Sequence, residues 1–194
     1  MTALDFFARW RVRIGYPLAV VVLWLSHPVP RSILIGACVG FVGLAIRACA
    51  AGYLHKQEVL TTTGPYSHTR NPLYFGSCIL VLGAAIAMNA WPSALILIGY
   101  FALVYSFVMR REEIELRGHH GAAFDAYAQA VPLFFPRLTP AKVPSSTIAP
   151  AQPAALPAAG FSFAQYRKNH EHQAALGFLL LLLVLIIIWR AHVA

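Results

Sequence analysis

Residues 72–109 read PLYFGSCILVLGAAIAM, then NAWP, then SALILIGYFALVYSFVM, without one Asp, Glu, Lys or Arg. Pro72 suits the first turn of a helix, where its missing N–H costs nothing, and Asn71 supplies an N-cap before it. Asn89-Ala90-Trp91-Pro92 is a tight, uncharged turn. The pattern predicts two apolar helices, 72–88 and 92–109, joined as a hairpin. Both are apolar throughout, as a bilayer or a deep core demands.

The rest of the chain decides for the bilayer. Of its 194 residues, 59% are hydrophobic and 11% charged, with a mean hydropathy of +0.64. A soluble domain is about 45–50% apolar and about 25% charged, so a soluble globular enzyme is excluded. General disorder is excluded too, since it needs low hydrophobicity and high charge. Three further runs complete the set. Residues 14–26 follow Arg9, Arg11 and Arg13 and imitate a signal peptide, but Ser26-His27-Pro28-Val29-Pro30 is a poor cleavage site, so a retained helix is expected. Residues 32–54 form a second span, in which Gly36 and Gly40 make a small-xxx-small pattern that serves either plain packing or dimer formation. The apolar run 174–189 is short for a span, about 24 Å against a core of about 30 Å.

The expected fold is an all-α integral membrane protein of about five transmembrane helices. A core over 1–137 ends in an amphipathic helix, 110–131, with Leu116, Phe124, Tyr127 and Val131 toward the membrane interface. A Pro/Ala-rich linker, 138–165, leads to a C-terminal apolar helix in 166–194. Arg47 lies inside the second span, where it must snorkel or face a polar pocket.

The chain carries 15 Lys and Arg against 7 Asp and Glu. With the N-terminus cytoplasmic, twelve of the fifteen (Arg9, Arg11, Arg13, Lys56, Arg70, Arg110, Arg111, Arg117, Arg137, Lys142, Arg167 and Lys168) fall on the inner side. Only Arg31 and Arg190 fall outside, which orients the protein. The basic excess thus reads as topology, not as nucleic-acid binding, for which aromatic-basic interleaving is missing. Cys38, Cys49 and Cys78 sit in apolar runs as packing residues, and no ligand spacing announces a metal.

Two polar clusters stand at the cytoplasmic ends of these helices. One is GPYSHTRNPLYFG, residues 64–76; the other is REEIEL, residues 111–116, followed by His120-Gly121, Phe124, Tyr127, Val131-Pro132 and Pro136. The hairpin can bring Tyr74 and Glu112 together, so that a loop and the hairpin form a cytoplasmic cofactor pocket entered by a lipophilic small molecule from the bilayer. Singly, each feature has a plainer reading: Gly64-Pro65 is a turn, Arg70 an interfacial anchor, His68 a solvated loop residue or a base, and Arg111 and Glu115 a surface ion pair.

Together, over His55 to Pro136, they resemble the isoprenylcysteine carboxyl methyltransferase and phospholipid methyltransferase group of integral membrane proteins. The resemblance implies methyl transfer from S-adenosyl-L-methionine without a Rossmann domain, and no GxGxxG motif is present. It implies that Tyr66, Arg70, Pro72 and Tyr74 build one wall of the cofactor pocket. By the same resemblance, Glu112 and Glu113 are the paired glutamates, one of which holds the cofactor's amino group. Arg70 or Arg111 would hold a carboxylate of cofactor or substrate, and the backbone from Leu60 to Gly64 would touch the adenosine. The candidate catalytic residues are therefore Arg70, Arg111 and Glu112; the candidate cofactor-binding residues are His55, Leu60, Gly64, Tyr66, Asn71, Tyr74 and Glu113. Asn71 replaces the family's usual His, a bacterial-type variant that cannot titrate near neutral pH. The expected setting is a bacterial inner membrane. An NADPH-dependent membrane reductase, which shares an Asn-Pro-x-Tyr element, and a non-enzymatic scaffold are the competing readings.

Overall fold

The computed structural model describes residues 3–55, 59–142 and 160–193, and all regular structure among them is helical. In order come α1 (Ala3–Trp24), α2 (Pro30–Tyr53), a 3₁₀ turn (Gly64–Ser67), α3 (Pro72–Met88), α4 (Trp91–His120), α5 (Ala122–Ala130), α6 (Phe163–Lys168) and α7 (His172–Val193). The chain is an all-α integral membrane protein. Three helices, α2, α4 and α7, are long and apolar enough to cross a bilayer, while Arg13–Trp24 and Pro72–Met88 are shorter apolar helices.

Two boundaries differ from the expectation, each for a local reason. The first helix begins at Ala3, well before the apolar run, because residues 3–13 contain neither Gly nor Pro to stop it. The second helix of the hairpin does not end at Met109. Arg110 to Leu116 is made of good helix formers, so α4 runs on to His120 and breaks at Gly121, whose φ of +51° suits glycine. The single amphipathic helix expected over 110–131 is therefore the last part of α4 followed by α5. Of the expected linker, residues 143–159 lie outside the described residues; from Phe161 onward the chain is packed, as shown below.

The molecule divides into two compact units, Met1–Leu44 with Gly76–Arg111 and Gln173–Ala194, and Ala45–Phe75 with Glu112–His172. In the first unit the core is Val22, Ile33, Ala87, Met88, Phe178, Leu182 and Leu185. Polar side chains there serve the backbone: Ser93 Oγ donates to the Val22 carbonyl at 2.8 Å, and Ser32 Oγ to the Ala87 carbonyl at 3.1 Å. Large apolar side chains such as Leu34, Val42, Leu95 and Leu180 point outward, the surface that lipid tails cover.

The Gly36/Gly40 pattern serves packing within this unit. A Cβ placed on Gly36 would stand 2.4 Å from the Gly83 carbonyl oxygen, one on Gly83 would stand 2.6 Å from the Gly40 nitrogen, and one on Gly40 would enter the Phe178 ring. Here α2 and α3 touch through their backbones, which only glycine permits. Gly83→Val is therefore expected to lower thermal stability in detergent, by about 1–3 kcal/mol as for an overpacked core. Gly99→Ala and Gly177→Ala meet nothing within 4 Å and gain helix propensity, so they should leave the melting temperature unchanged or raised. Equal losses in all three variants would refute this contact.

Candidate functional site

The second unit is organised by two irregular segments that satisfy one another's backbone. Arg70 N–H donates to the Pro132 carbonyl at 2.9 Å, Arg137 N–H to that of His68 at 2.9 Å, and Ala141 N–H to that of Ser67 at 2.8 Å. Side chains reinforce the pairing: buried Thr69 donates from Oγ1 to the Phe134 carbonyl at 2.9 Å, and Asn71 Nδ2 to that of Leu133 at 2.9 Å. Arg137 Nη1 caps α5 at the Ala130 carbonyl, 2.7 Å away. The loop of residues 64–71 is thereby held against residues 130–141 without any strand.

Beneath these segments lies a cluster of Leu60, Ala123, Phe124, Tyr127 and Val131. Phe124, Tyr127 and Val131 are buried there, not laid along a membrane interface as expected; the turn at Gly121 redirects α5 and carries them inward. Of the four, Leu116 alone is exposed. Tyr127 Oη donates to the Tyr66 carbonyl at 2.7 Å. Gly64 has a φ of +58°, and a Cβ on it would stand 2.5 Å from the Tyr53 ring, so the loop's first turn requires glycine.

The two polar motifs meet in this unit. Tyr74 Oη donates to Glu112 Oε1 at 2.5 Å. The Arg70 guanidinium pairs with the Glu113 carboxylate, both mostly shielded at 15% and 23% side-chain exposure. The ion pair joins Arg70 Nη1 to Glu113 Oε1, while the buried Arg70 Nε has no hydrogen-bond partner. The buried Tyr66 hydroxyl has none either. Its pKa is pushed well above the ordinary 10.0, first by burial and then by Tyr127, Glu112, Glu171 and Tyr74. Burial also raises the Tyr127 hydroxyl, against a smaller opposing effect of Arg70. Both phenols are therefore neutral donors across the physiological range.

The remaining candidates are placed otherwise. His55 is bound locally, its Nδ1 3.0 Å from the Tyr53 carbonyl and its N–H on Thr61 Oγ1. Leu60 is buried in the apolar cluster and Asn71 braces the loop, so neither side chain joins the charged set. Arg111 belongs to the first unit. His68 Nδ1 stands 2.7 Å from the Arg137 carbonyl, a contact that ties the loop to the facing segment. Among the described residues, no group of three or more His, Cys, Asp or Glu could hold a metal ion.

Sequence reasoning left Arg47 undecided and passed over Glu171 altogether. Arg47 Nε and Nη2 donate to the two carboxylate oxygens of Glu171 at 3.0 and 2.7 Å, and Nη1 donates to the Leu73 carbonyl at 3.3 Å. The polar-pocket alternative is the one realised. The signal was an arginine inside an apolar span, which demands a counter-charge; the identity of its partner, 124 residues away, had no local signature.

The chain is 33% identical over 140 residues to the nickel-cobalt-cadmium resistance protein NccN of Alcaligenes xylosoxydans xylosoxydans, a match covering 67% of this chain and 64% of that protein. It is 31% identical over 140 residues to the cobalt-zinc-cadmium resistance protein CzcN of Cupriavidus metallidurans, covering 67% and 63% respectively. The chain thus spans slightly less than two thirds of these relatives' length. No solved structure matches it. Residues 41–123, which hold Arg47, Tyr66, Arg70, Tyr74, Glu112 and Glu113, match the model of the phospholipid methyltransferase family.

Proposed function

We propose that the protein is an S-adenosylmethionine-dependent methyltransferase acting on a lipophilic, isoprenoid- or lipid-like substrate, by carboxyl-O transfer or a related reaction. The observation that carries this reading is that two buried polar atoms among the described residues, Tyr66 Oη and Arg70 Nε, lack hydrogen-bond partners beside the shielded Glu113 carboxylate, inside the family-matched stretch. Buried polar groups are normally satisfied, and an exception points to a missing partner. An anionic carboxylate, a cationic donor and a neutral donor fit the amino-acid end of S-adenosylmethionine.

In this reading Glu113 holds the ammonium by a charge-assisted hydrogen bond, Arg70 holds the carboxylate, and Tyr66 donates from a hydroxyl that stays protonated. The backbone from Leu60 to Gly64 lies along the adenosine. When bound, the cofactor supplies a methyl group already activated by the sulfonium charge. The chain's task is then to orient an acceptor in line and to exclude water. Glu112, fixed by Tyr74, orients the acceptor. A carboxylate or phenolate acceptor needs no strong base.

By the distribution of positive charge, the site faces the cytoplasm of a bacterial inner membrane with the N-terminus on the same side. The relatives' names tie them to metal resistance, and we place this chain in a similar setting, as an enzyme that modifies a membrane molecule. Against a reductase, Glu112 and Glu113 would repel the phosphates of NADPH. Against a scaffold, the buried Tyr66 hydroxyl and Arg70 Nε cost stability with no return.

Calorimetric titration of the detergent-purified protein with S-adenosylhomocysteine, NADPH run alongside, tests the reading. Micromolar binding of the first alone is expected. NADPH binding alone would replace the reading with a reductase, and silence from both in folded protein would favour the scaffold. Glu113→Gln and Arg70→Ala should abolish binding in protein that remains folded; normal binding by both would show the pocket to be misplaced.

Tyr66→Phe separates function from stability. Removing a buried hydroxyl that has no partner should leave the ligand-free protein as stable or more stable, by about 1 kcal/mol, while weakening S-adenosylhomocysteine. The pH dependence carries the same signature. Above pH 10 the unfolded chain loses tyrosine protons that folded Tyr66 and Tyr127 keep, so stability falls as pH rises, by up to about 1.4 kcal/mol per pH unit for each. Melting between pH 8 and 11 should show that decline in the wild type and a shallower one in Tyr66→Phe.

A further inference from the structure

The segment from Phe161 to Glu171 lies beyond the family-matched stretch, yet it is bonded to the second unit along its length. Ser162 N–H donates to the Gly52 carbonyl at 2.9 Å. Gln165 Nε2 donates to the Leu54 carbonyl at 2.6 Å, and Asn169 Nδ2 to those of Ala51 and Leu54 at 2.8 and 2.9 Å. These are the carbonyls at the C-terminal end of α2, which no further helical turn satisfies. The Phe161 ring covers Gly52 so closely that a Cβ there would stand 2.2 Å from it. The segment is thus a side-chain cap on α2, and it ends by delivering Glu171 to Arg47.

The pair it forms is more than an anchor. Glu171 is 9% exposed and Arg47 19%, and the contact is two-pronged, so the guanidinium plane is set by the carboxylate. That orientation aims Nη1 at the Leu73 carbonyl, in the first turn of α3. The next residue is Tyr74, whose hydroxyl holds Glu112. A continuous series of contacts therefore runs from Glu171 through Arg47 and Leu73 to Tyr74 and Glu112. Glu171 also stands close enough to Tyr66 to act on its hydroxyl electrostatically.

We infer that Glu171, delivered by the segment Phe161–Glu171, is a positioning residue, which through Arg47 fixes the start of α3 and so the Tyr74–Glu112 pair. Its consequence for the cofactor rests on the methyltransferase reading; the positioning itself does not. Glu171→Gln keeps the shape and removes the charge, leaving Arg47 without a two-pronged partner. Glu171→Asp keeps the charge on a shorter arm. Asn169→Ala loosens the cap without touching Arg47.

Hydrogen exchange of the ligand-free, full-length protein in detergent, read by mass spectrometry, is the test. In Glu171→Gln, amides in the first turn of α3 and around Glu112 should exchange at least tenfold faster, Glu171→Asp should restore much of the protection, and Asn169→Ala should affect residues 51–54 and 161–171 only. If Glu171→Gln changes exchange only in those same two stretches, the residue is an anchor and the inference falls. A parallel titration with S-adenosylhomocysteine should show at least tenfold weaker binding in Glu171→Gln and wild-type affinity, within twofold, in Asn169→Ala; equal weakening in both would also overturn it. Silence of the wild type in that titration would overturn the methyltransferase reading and leave the exchange result to decide this one.

Discussion

Taking a charge out of water costs several kcal/mol per ion, even after the protein relaxes around it. In a chain with 11% charged residues, few polar neighbours are at hand to offset that cost. The second unit answers it by pairing residues far apart in sequence: Arg47 with Glu171, Arg70 with Glu113, and the Tyr74 hydroxyl with Glu112. Each pair joins a residue of 45–75 to one of 112–172, so the same contacts that relieve the charges also close the unit. Losing one partner would leave the other shielded from water and uncompensated, which is costlier than losing the pair.

The backbone obeys the same constraint. The loop of residues 64–71 and residues 131–141 contain no strand, yet their N–H and C=O groups find each other. Thr69, Asn71, His68 and Tyr127 spend their side chains on carbonyls of the facing segment or loop. Against this satisfaction, two buried atoms among the described residues stand out without a hydrogen-bond partner, Tyr66 Oη and Arg70 Nε, beside the shielded Glu113 carboxylate. The resemblance assigns all three residues to a cofactor pocket. The coincidence of chemical demand with family position is the strongest argument for a ligand there.

How much of this was legible follows from where the signals reside. The helical hairpin was, because 38 uncharged residues with one Asn-Ala-Trp-Pro turn admit little else. The meeting of Tyr74 with Glu112 followed from that hairpin by geometry alone. The end of α4 was not legible, because the drop in hydrophobicity after Met109 marks where the chain becomes polar and not where the helix stops; the stop is conformational, at Gly121. Asn71 was read as a cofactor ligand on its position in a motif, while its side chain braces Leu133, a role that depends on a segment about sixty residues away. Glu171 was invisible for the same reason. A carboxylate among His170 and His172 looks like a solvated turn until the arginine it answers is known.

The family-matched stretch, residues 41–123, is accordingly not self-sufficient. It contains Arg47 without Glu171, the last carbonyls of α2 without Gln165 and Asn169, and the Thr69 hydroxyl without Phe134. Cut at its limits, it would hold a guanidinium deprived of its two-pronged carboxylate and a helix end with exposed carbonyls, which cost free energy in an apolar setting. The segments after residue 123 are therefore part of what lets the motif residues adopt their arrangement. A polar site within an apolar helical protein needs more chain than the residues that touch its ligand, because each charge brought in for chemistry must also be accounted for by a partner brought in for stability.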